Sequence, residues 1–145
     1  MSYNINVCVY QLNPDAFFKI VEKTCWNYAN GGTWSEVNDQ HVLCMGGSGT
    51  SGALRFQCDE SGERFIVTLG VHNYKRWGDI VTNLTTSETG VLIQPQYYSN
   101  DHKDREKARE CQLASYSVKN AQGRQISFKY TVAEGNNLKC DIMIG

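Results

Sequence analysis

The chain lacks a charge excess of either sign: 14 basic and 15 acidic residues give a formal net charge of −1. Without a basic patch it cannot neutralise the run of phosphates that sequence-independent nucleic-acid binding requires, so nucleic acid is not an expected partner. It also lacks a positive segment leading into an apolar one at its start, and no apolar run approaches the ~20 residues that span a bilayer. The expectation is a cytosolic protein. Chemistry-bearing signatures are missing too. No serine sits in a nucleophile elbow, no cysteine has an activating neighbour, and no carboxylate pair stands at a diagnostic position, so neither acyl transfer nor glycoside hydrolysis has its groups. The pair His72 and Asp79 is the nearest thing to an acid and base. The loop Gly46-Gly47-Ser48-Gly49-Thr50-Ser51-Gly52 fails as a phosphate cradle, because no lysine follows and Ala53-Leu54-Arg55-Phe56 reads as a strand rather than a helix.

Six cysteines are present, but none forms C-x-x-C, and His41 with Cys44 has no second pair at zinc spacing. Buried or partly buried free thiols weigh ahead of one or two disulfides, and well ahead of a metal site, in a chain expected to be cytosolic. Asn83-Leu84-Thr85 is a glycosylation sequon that should stay unmodified there. No metal or cofactor is expected.

What the chain does have is size for one core: 145 residues at 41% hydrophobic composition suit a single domain over residues 1–145. Tyr3 to Tyr10 alternates Ile5, Val7 and Val9 with polar positions, the period of a half-buried strand. His41 to Met45 and Leu54 to Cys58 flank the glycine loop and read as a hairpin, followed by a strand at Arg64 to Leu69. Ser115 to Val118, Gln125 to Val132 and Asn137 to Ile144 give three more, with turns at Gln122-Gly123 and Glu134-Gly135-Asn136-Asn137. Between the two runs, Asp101 to Leu113 is rich in Lys, Glu, Ala and Arg and predicts a helix capped by Asp101 or Asp104. A shorter helix begins near Thr86 and ends at Pro95. The pattern implies a mainly β fold (α+β), a sandwich of two antiparallel sheets joined by a helical connection.

The densest segment is Val71 to Thr85, VHNYKRWGDIVTNLT, which crowds neutral hydrogen-bonding groups and aromatics around one acid. Asn73, Asp79 and Thr82 against Tyr74 and Trp77 suit recognition of a small polar ligand, and sugars are ligands of that kind. The glycine loop fits a flexible hairpin tip or, alternatively, a place where main chain approaches a ligand and Ser48 donates to it. Trp26, Trp34 and Trp77 read by default as core or interface, and Arg105 and Arg109 as a solvated helix face.

Three stretches carry a resemblance. Tyr28-Ala29-Asn30-Gly31-Gly32-Thr33-Trp34, the run from Met45 to Gly52, and Gly70-Val71-His72-Asn73-Tyr74-Lys75-Arg76-Trp77 look like the fungal fruit-body lectin family. The likeness continues through Asp79-Ile80-Val81-Thr82, Tyr97-Tyr98, Arg109-Glu110, Gln112-Leu113 and Tyr130 to Leu138. It implies an antiparallel β-sandwich with a helix-loop-helix connection, similar to the pore-forming actinoporins, and assembly as a homotetramer. It also implies two classes of glycan or glycoprotein partner and a defensive role. For galactosyl-β-1,3-N-acetylgalactosamine, the T-antigen, the implied residues are Ala29, Ser48, Gly49 and Asn73, with His72 close by. For N-acetylglucosamine or chitobiose they are Asp79, Ile80, Thr82, Arg105 and Tyr116. Arg105 follows from reading Arg105-x-x-Ala108-Arg109-Glu110 as the family's Arg-x-x-Ala-Arg-Glu, downstream of a Ser99 to Lys103 stretch longer than in close relatives. Gly78 stands where many members carry cysteine, a change expected to loosen the turn carrying Asp79.

The resemblance describes a non-catalytic, metal-independent protein that meets membranes only through glycoconjugates. A membrane-active protein is the alternative the actinoporin likeness raises. That would need a detachable amphipathic helix, and Ser2 to Gln11 alternates like a strand instead.

Overall fold

A computed structural model describes residues 2–26 and 31–145. Among the described residues, ten strands divide between two sheets. The first six-stranded sheet is built from β1 (Tyr3–Gln11), β3 (Gly32–Val37), β4 (Gln40–Met45), β8 (Ser115–Lys119), β9 (Gln125–Val132) and β10 (Asn137–Ile144), in the order β3-β4-β1-β10-β9-β8. The other, in the order β2-β5-β6-β7, contains β2 (Lys19–Trp26), β5 (Ser51–Gln57), β6 (Arg64–His72) and β7 (Lys75–Val81). Pairing is antiparallel except between β1 and β10, which run parallel, a departure from the all-antiparallel expectation. The alternation read in β1 is real: Tyr3, Ile5 and Val7 are buried between the sheets while Asn4 and Asn6 face outward. Bonded to β4 on one side and β10 on the other, β1 is an interior strand and supplies no detachable helix.

The largest correction concerns the glycine loop. His41 to Met45 and Leu54 to Cys58 do not form a hairpin, because β4 pairs with β1 and β3 whereas β5 pairs with β2 and β6. The reason is visible in β5, which is buried from Ser51 to Phe56. A strand buried on both faces belongs in the interior of a covered sheet, and β5 lies between β2 and β6. Residues 46–50 therefore cross from one sheet to the other.

The small sheet is covered twice. Leu54, Phe56, Phe65, Val67, Leu69 and Ile80 face the large sheet in the main core. Its outer face buries Ala53, Ile66 and Trp77 against Leu84, Ile93 and Tyr97 of the helical connection. That connection comprises α1 (Gly90–Ile93), a 3-10 helix (Gln94–Tyr98) and α2 (Lys103–Cys111). Its details differ from expectation. Thr86 caps nothing; Thr85 N–H instead donates to the Glu88 carboxylate at 2.9 Å, and Thr89 stands at the start of α1. Pro95 does not stop the segment but lies in the first turn of the 3-10 helix, where its missing N–H costs nothing. The residue before α2 is His102, without a side-chain cap, so neither Asp101 nor Asp104 plays that part; Asp104 supplies first-turn negative charge.

All six cysteines are free thiols. Cys58 and Cys140 are buried and Cys8 and Cys25 half-buried, but Cys44 and Cys111 are exposed, contrary to a uniformly sheltered set. Trp77 is fully enclosed, and Trp34 is partly buried with its indole N–H on the Thr24 carbonyl at 3.0 Å.

Candidate functional site

The two ends of the Val71 to Thr85 segment lead to different places, because most of it is a strand. His72 pairs with Lys75 across a two-residue turn in which Asn73 (φ 47°) and Tyr74 (φ 66°) are both left-handed. Asparagine tolerates that conformation and tyrosine does not, so the turn must be held from outside. Three contacts hold it. Tyr74 N–H donates to Ser48 Oγ at 3.0 Å, the Gln112 side-chain amide donates to the His72 carbonyl, and Arg76 donates to the Gln112 carbonyl at 2.8 Å.

The crossing loop is sewn to the same place. Gly49 N–H donates to the Val71 carbonyl at 2.8 Å, and Val71 N–H returns to the Thr50 carbonyl at 3.1 Å. Gly49 has φ +100°, a conformation costly for any side chain and free for glycine. Ser48, Gly49, His72 and Asn73 are thus brought together, with Asn73 exposed and its amide nitrogen 3.3 Å from His72 Nε2. Burial, and then the charge of Arg109, lower the His72 pKa, so the ring is neutral at physiological pH and can accept as well as donate. Ala29 lies outside the described residues. Ser48→Ala removes the acceptor for Tyr74 N–H, and exchange of that amide should accelerate by about tenfold, the equivalent of ~1.4 kcal/mol. Hydrogen exchange followed by NMR checks it; an unchanged rate would mean that the turn is held without Ser48.

Seven residues along the chain, Asp79 belongs to another neighbourhood. Asp79 pairs with Thr68, whereas His72 sits four residues further along β6, about 13 Å away at strand spacing. The two do not form an acid/base pair. Asp79 faces the helical connection, where Tyr97 Oη donates to its Oδ2 at 2.6 Å. Burial raises its pKa, against the pull of that hydrogen bond and of Arg105. Because β7 is an edge strand, neighbours on both of its faces reach one opening. Asp79, Ile80, Arg105 and Tyr116 line a concavity of about 290 Å³. Thr82, half-buried just beyond the end of β7, is not among the residues lining it.

Arg105 and Arg109 are not the solvated helix face that composition suggested. Both are half-buried, laid over Tyr97 at 6.0 Å and Tyr98 at 5.0 Å respectively. Arg105 Nε donates to Gln96 Oε1 at 3.2 Å, which aims the guanidinium at the concavity. A planar cation gains from an aromatic face as well as from a carboxylate, and Tyr97-Tyr98 supplies two such faces. Asp104, Lys107, Ala108 and Cys111 also line the opening and were missed. Their spacing of three and four residues puts them on one side of α2, a signal the sequence does contain.

What results is a pair of shallow, water-accessible neighbourhoods: one of amides, hydroxyls and an imidazole, the other with the carboxylates of Asp79 and Asp104, the Lys107 ammonium and the Arg105 guanidinium. Among the described residues no three His, Cys, Asp or Glu side chains gather where they could hold a metal ion.

Comparison with known proteins agrees in sequence and in fold. A profile described as fungal fruit body lectin matches residues 1–142. The chain is 54% identical to Boletus edulis lectin over 144 residues, covering 99% of each. Its fold superposes on the wild-type Xerocomus chrysenteron lectin with a TM-score of 0.94 at 55% identity, covering 100% of both chains. A form of that lectin carrying three methionine substitutions gives the same TM-score. With its two sheets and short helices matching a solved relative throughout, the chain belongs to the fungal fruit body lectin family and is a carbohydrate-binding, non-catalytic protein.

Proposed function

We propose that each subunit carries two separate glycan sites. Ser48, Gly49, His72 and Asn73, completed by Ala29, bind galactosyl-β-1,3-N-acetylgalactosamine. Asp79, Ile80, Arg105 and Tyr116, with Thr82 at the margin, bind terminal N-acetylglucosamine or chitobiose. The observation that supports this most directly is the joint lining of one opening by a carboxylate, a guanidinium, an apolar side chain and a tyrosine. Sugar hydroxyls donate to the first and accept from the second, while the ring's C–H face and the acetamido methyl take the apolar walls. At the other site Asn73 both donates and accepts, and the bare Gly49 lets main chain approach.

Such groups are well hydrated before binding, so single-site affinity should lie between micromolar and millimolar, about −4 to −8 kcal/mol. Useful strength then comes from several sites in one homotetramer, where avidity gains of ~10² to 10⁴ are possible when spacing permits. Glycoproteins of organisms that feed on the producer are the corresponding targets, met by a protein held in the cytosol until tissue is damaged. The membrane-active alternative would need β1 to leave the middle of a sheet.

Titration with the two glycans separately is the test. Asn73→Ala should lose about tenfold in affinity for the galactosyl disaccharide and keep that for N-acetylglucosamine; Arg105→Ala should do the reverse, each loss corresponding to ~1.4 kcal/mol. Folded variants that both lose both glycans equally would rule out two independent sites.

A further inference from the structure

Where the edge strands β2 and β3 bring the two sheets together, the space between them is filled by polar side chains. Leu43 of β4 is fully buried, but His41, next on the same face, is half-buried, and Glu36 of β3 pairs with it. Lys23 of β2 spans the gap, 3.0 Å from Glu36 Oε1 and 3.2 Å from His41 Nδ1. Beside this bridge lies a concavity of about 400 Å³, with Val9, Ile20 and Phe56 from the core and Phe17, Glu36 and Asp39 from the surface among its walls. It lies beside β2, at the far edge of the small sheet from β7, and at the other end of β5 from the crossing loop, so it belongs to neither proposed glycan site. We propose that this concavity binds a small organic cation with an apolar body, of the aryl- or alkylammonium class.

Charge selects the sign of the ligand. Lys19 lines the concavity, but its ammonium is taken by Asp59 at 2.8 Å, as that of Lys23 is by Glu36. Asp39, in the turn between β3 and β4, is paired with no cation among the described residues. The hydrogen bond from Lys23, and then its charge, hold the Glu36 carboxyl below the usual carboxylate range, so it stays ionised. Burial, and then the charge of Lys23, lower the His41 pKa and leave the imidazole neutral at physiological pH. Three carboxylates, Glu36, Asp39 and Asp59, therefore stand against two ammonium groups. An anion finds no ammonium without a partner, whereas a cation meets an excess of negative charge.

The walls select the rest of it. Gln11 clamps the backbone of Phe18, accepting from its N–H at 2.7 Å and donating to its carbonyl at 2.8 Å. That clamp accompanies a Phe18 ring buried in the core and a Phe17 ring left 66% exposed at the opening. Such a ring offers its face to a cation and its area to an apolar body. Both ends of the Gln11 amide are engaged, and Lys23 engages His41 Nδ1, so few neutral groups are left for the hydroxyls of a sugar. The volume falls within the ~300–1,000 Å³ range of small-ligand sites.

Titration of the intact protein with phenethylammonium chloride, 2-phenylethanol and 3-phenylpropionate, followed by amide NMR, compares a cation, a neutral group and an anion on one apolar body. Wild type should bind the ammonium about fivefold more tightly than the alcohol, and the carboxylate most weakly, with shifts at Phe17, Ile20 and His41. Asp39→Asn keeps a residue that tolerates the left-handed backbone of the turn, φ 64°. It should lower the ammonium affinity about threefold and leave that for the alcohol unchanged. Phe17→Ala, at an exposed position, should weaken both about fivefold. Equal affinity for ammonium and alcohol, tightest binding of the carboxylate, or an ammonium affinity that survives both substitutions overturns the proposal. So does binding of none of the three, or shifts confined to the neighbourhoods of Asn73 and Asp79.

Discussion

Arg124→Ala should destabilise the fold by about 3–5 kcal/mol, the cost of leaving a buried charge without its partner. Glu63 precedes β6 in one sheet and Arg124 precedes β9 in the other, so their contact ties the sheets together at one end. The guanidinium meets the carboxylate twice, at 2.8 and 2.9 Å, and Asn120 adds a third donor at 2.6 Å. Arg124 also donates to the Gly145 carbonyl and lies 5.2 Å from the centre of the Phe18 ring. The guanidinium beside Glu63, aided by Asn120 and opposed by burial, holds its carboxyl at about 2.

An acid held lower in the folded than in the unfolded chain adds stability above its unfolded pKa of ~4.3 and loses it as pH falls toward the folded value. Wild type should therefore shed about 3 kcal/mol between roughly pH 5 and 2 from this group, at ~1.36 kcal/mol per unit. In Arg124→Ala the stranded carboxyl is raised instead of lowered, so the variant's stability should fall as pH rises above the unfolded value of ~4.3. Urea unfolding of both proteins from about pH 2 to about pH 7 reads the sign directly. Parallel curves would show that the pair is not what sets acid stability. Glu63→Gln/Arg124→Met, which removes both charges, should recover most of the loss.

How much of this was legible beforehand depends on where each signal resides. Strands such as β1 and β9, buried on one face, announce themselves by alternation. The small sheet did not, because β5 and β6 are buried on both faces and lose the alternation that would reveal partner and register. That is why the glycine loop passed for a hairpin tip. The same cause hid β7: Lys75 to Val81 looked like a recognition loop because its polar Asp79 and apolar Trp77 share the face under the helical connection.

Site residues divided differently. Asn73 and Ser48 could be named from motif likeness, but nothing local indicates that Ser48 holds the Tyr74 amide across 26 positions. Nor does composition reveal that Arg105 and Arg109 lie on a tyrosine pair, since a helix rich in Lys, Glu and Arg reads as solvated whatever it covers. Gln112 was quoted as part of a motif without a role. It proves to join the end of α2 to the turn that presents Asn73, so the helix bearing Arg105 at one proposed site also braces the other.

Gly78→Cys should lower stability by about 3 kcal/mol, at the top of the range for overpacking a closed core. The expected loosening of a turn was mistaken: Gly78 lies buried inside β7, opposite Leu69 and next to the buried Trp77. A Cβ placed there would come 2.6 Å from Phe128 Cζ, 2.8 Å from its Cε1 and 3.0 Å from Leu69 Cδ2. None of those atoms can retreat into solvent, since Phe128 and Leu69 are both buried. Phe128 also packs against Tyr116, with ring centres 6.4 Å apart, so a shifted phenyl ring would disturb the concavity that Tyr116 lines. Relatives with cysteine at this position should then carry something smaller or differently placed where this chain has Phe128.

The double variant Gly78→Cys/Phe128→Leu puts that compensation to the test. Phe128→Leu alone opens a void and should cost about 1–2 kcal/mol. Combined, the two changes should cost clearly less than their sum, with a coupling of about 1–3 kcal/mol, because the added sulfur occupies the space the ring vacates. Urea unfolding of the four proteins in the cycle measures the coupling, and titration with N-acetylglucosamine follows Tyr116. Strictly additive losses would mean that the glycine answers to some constraint other than Phe128. Additivity together with full sugar affinity in Gly78→Cys would also separate β7 packing from the second site.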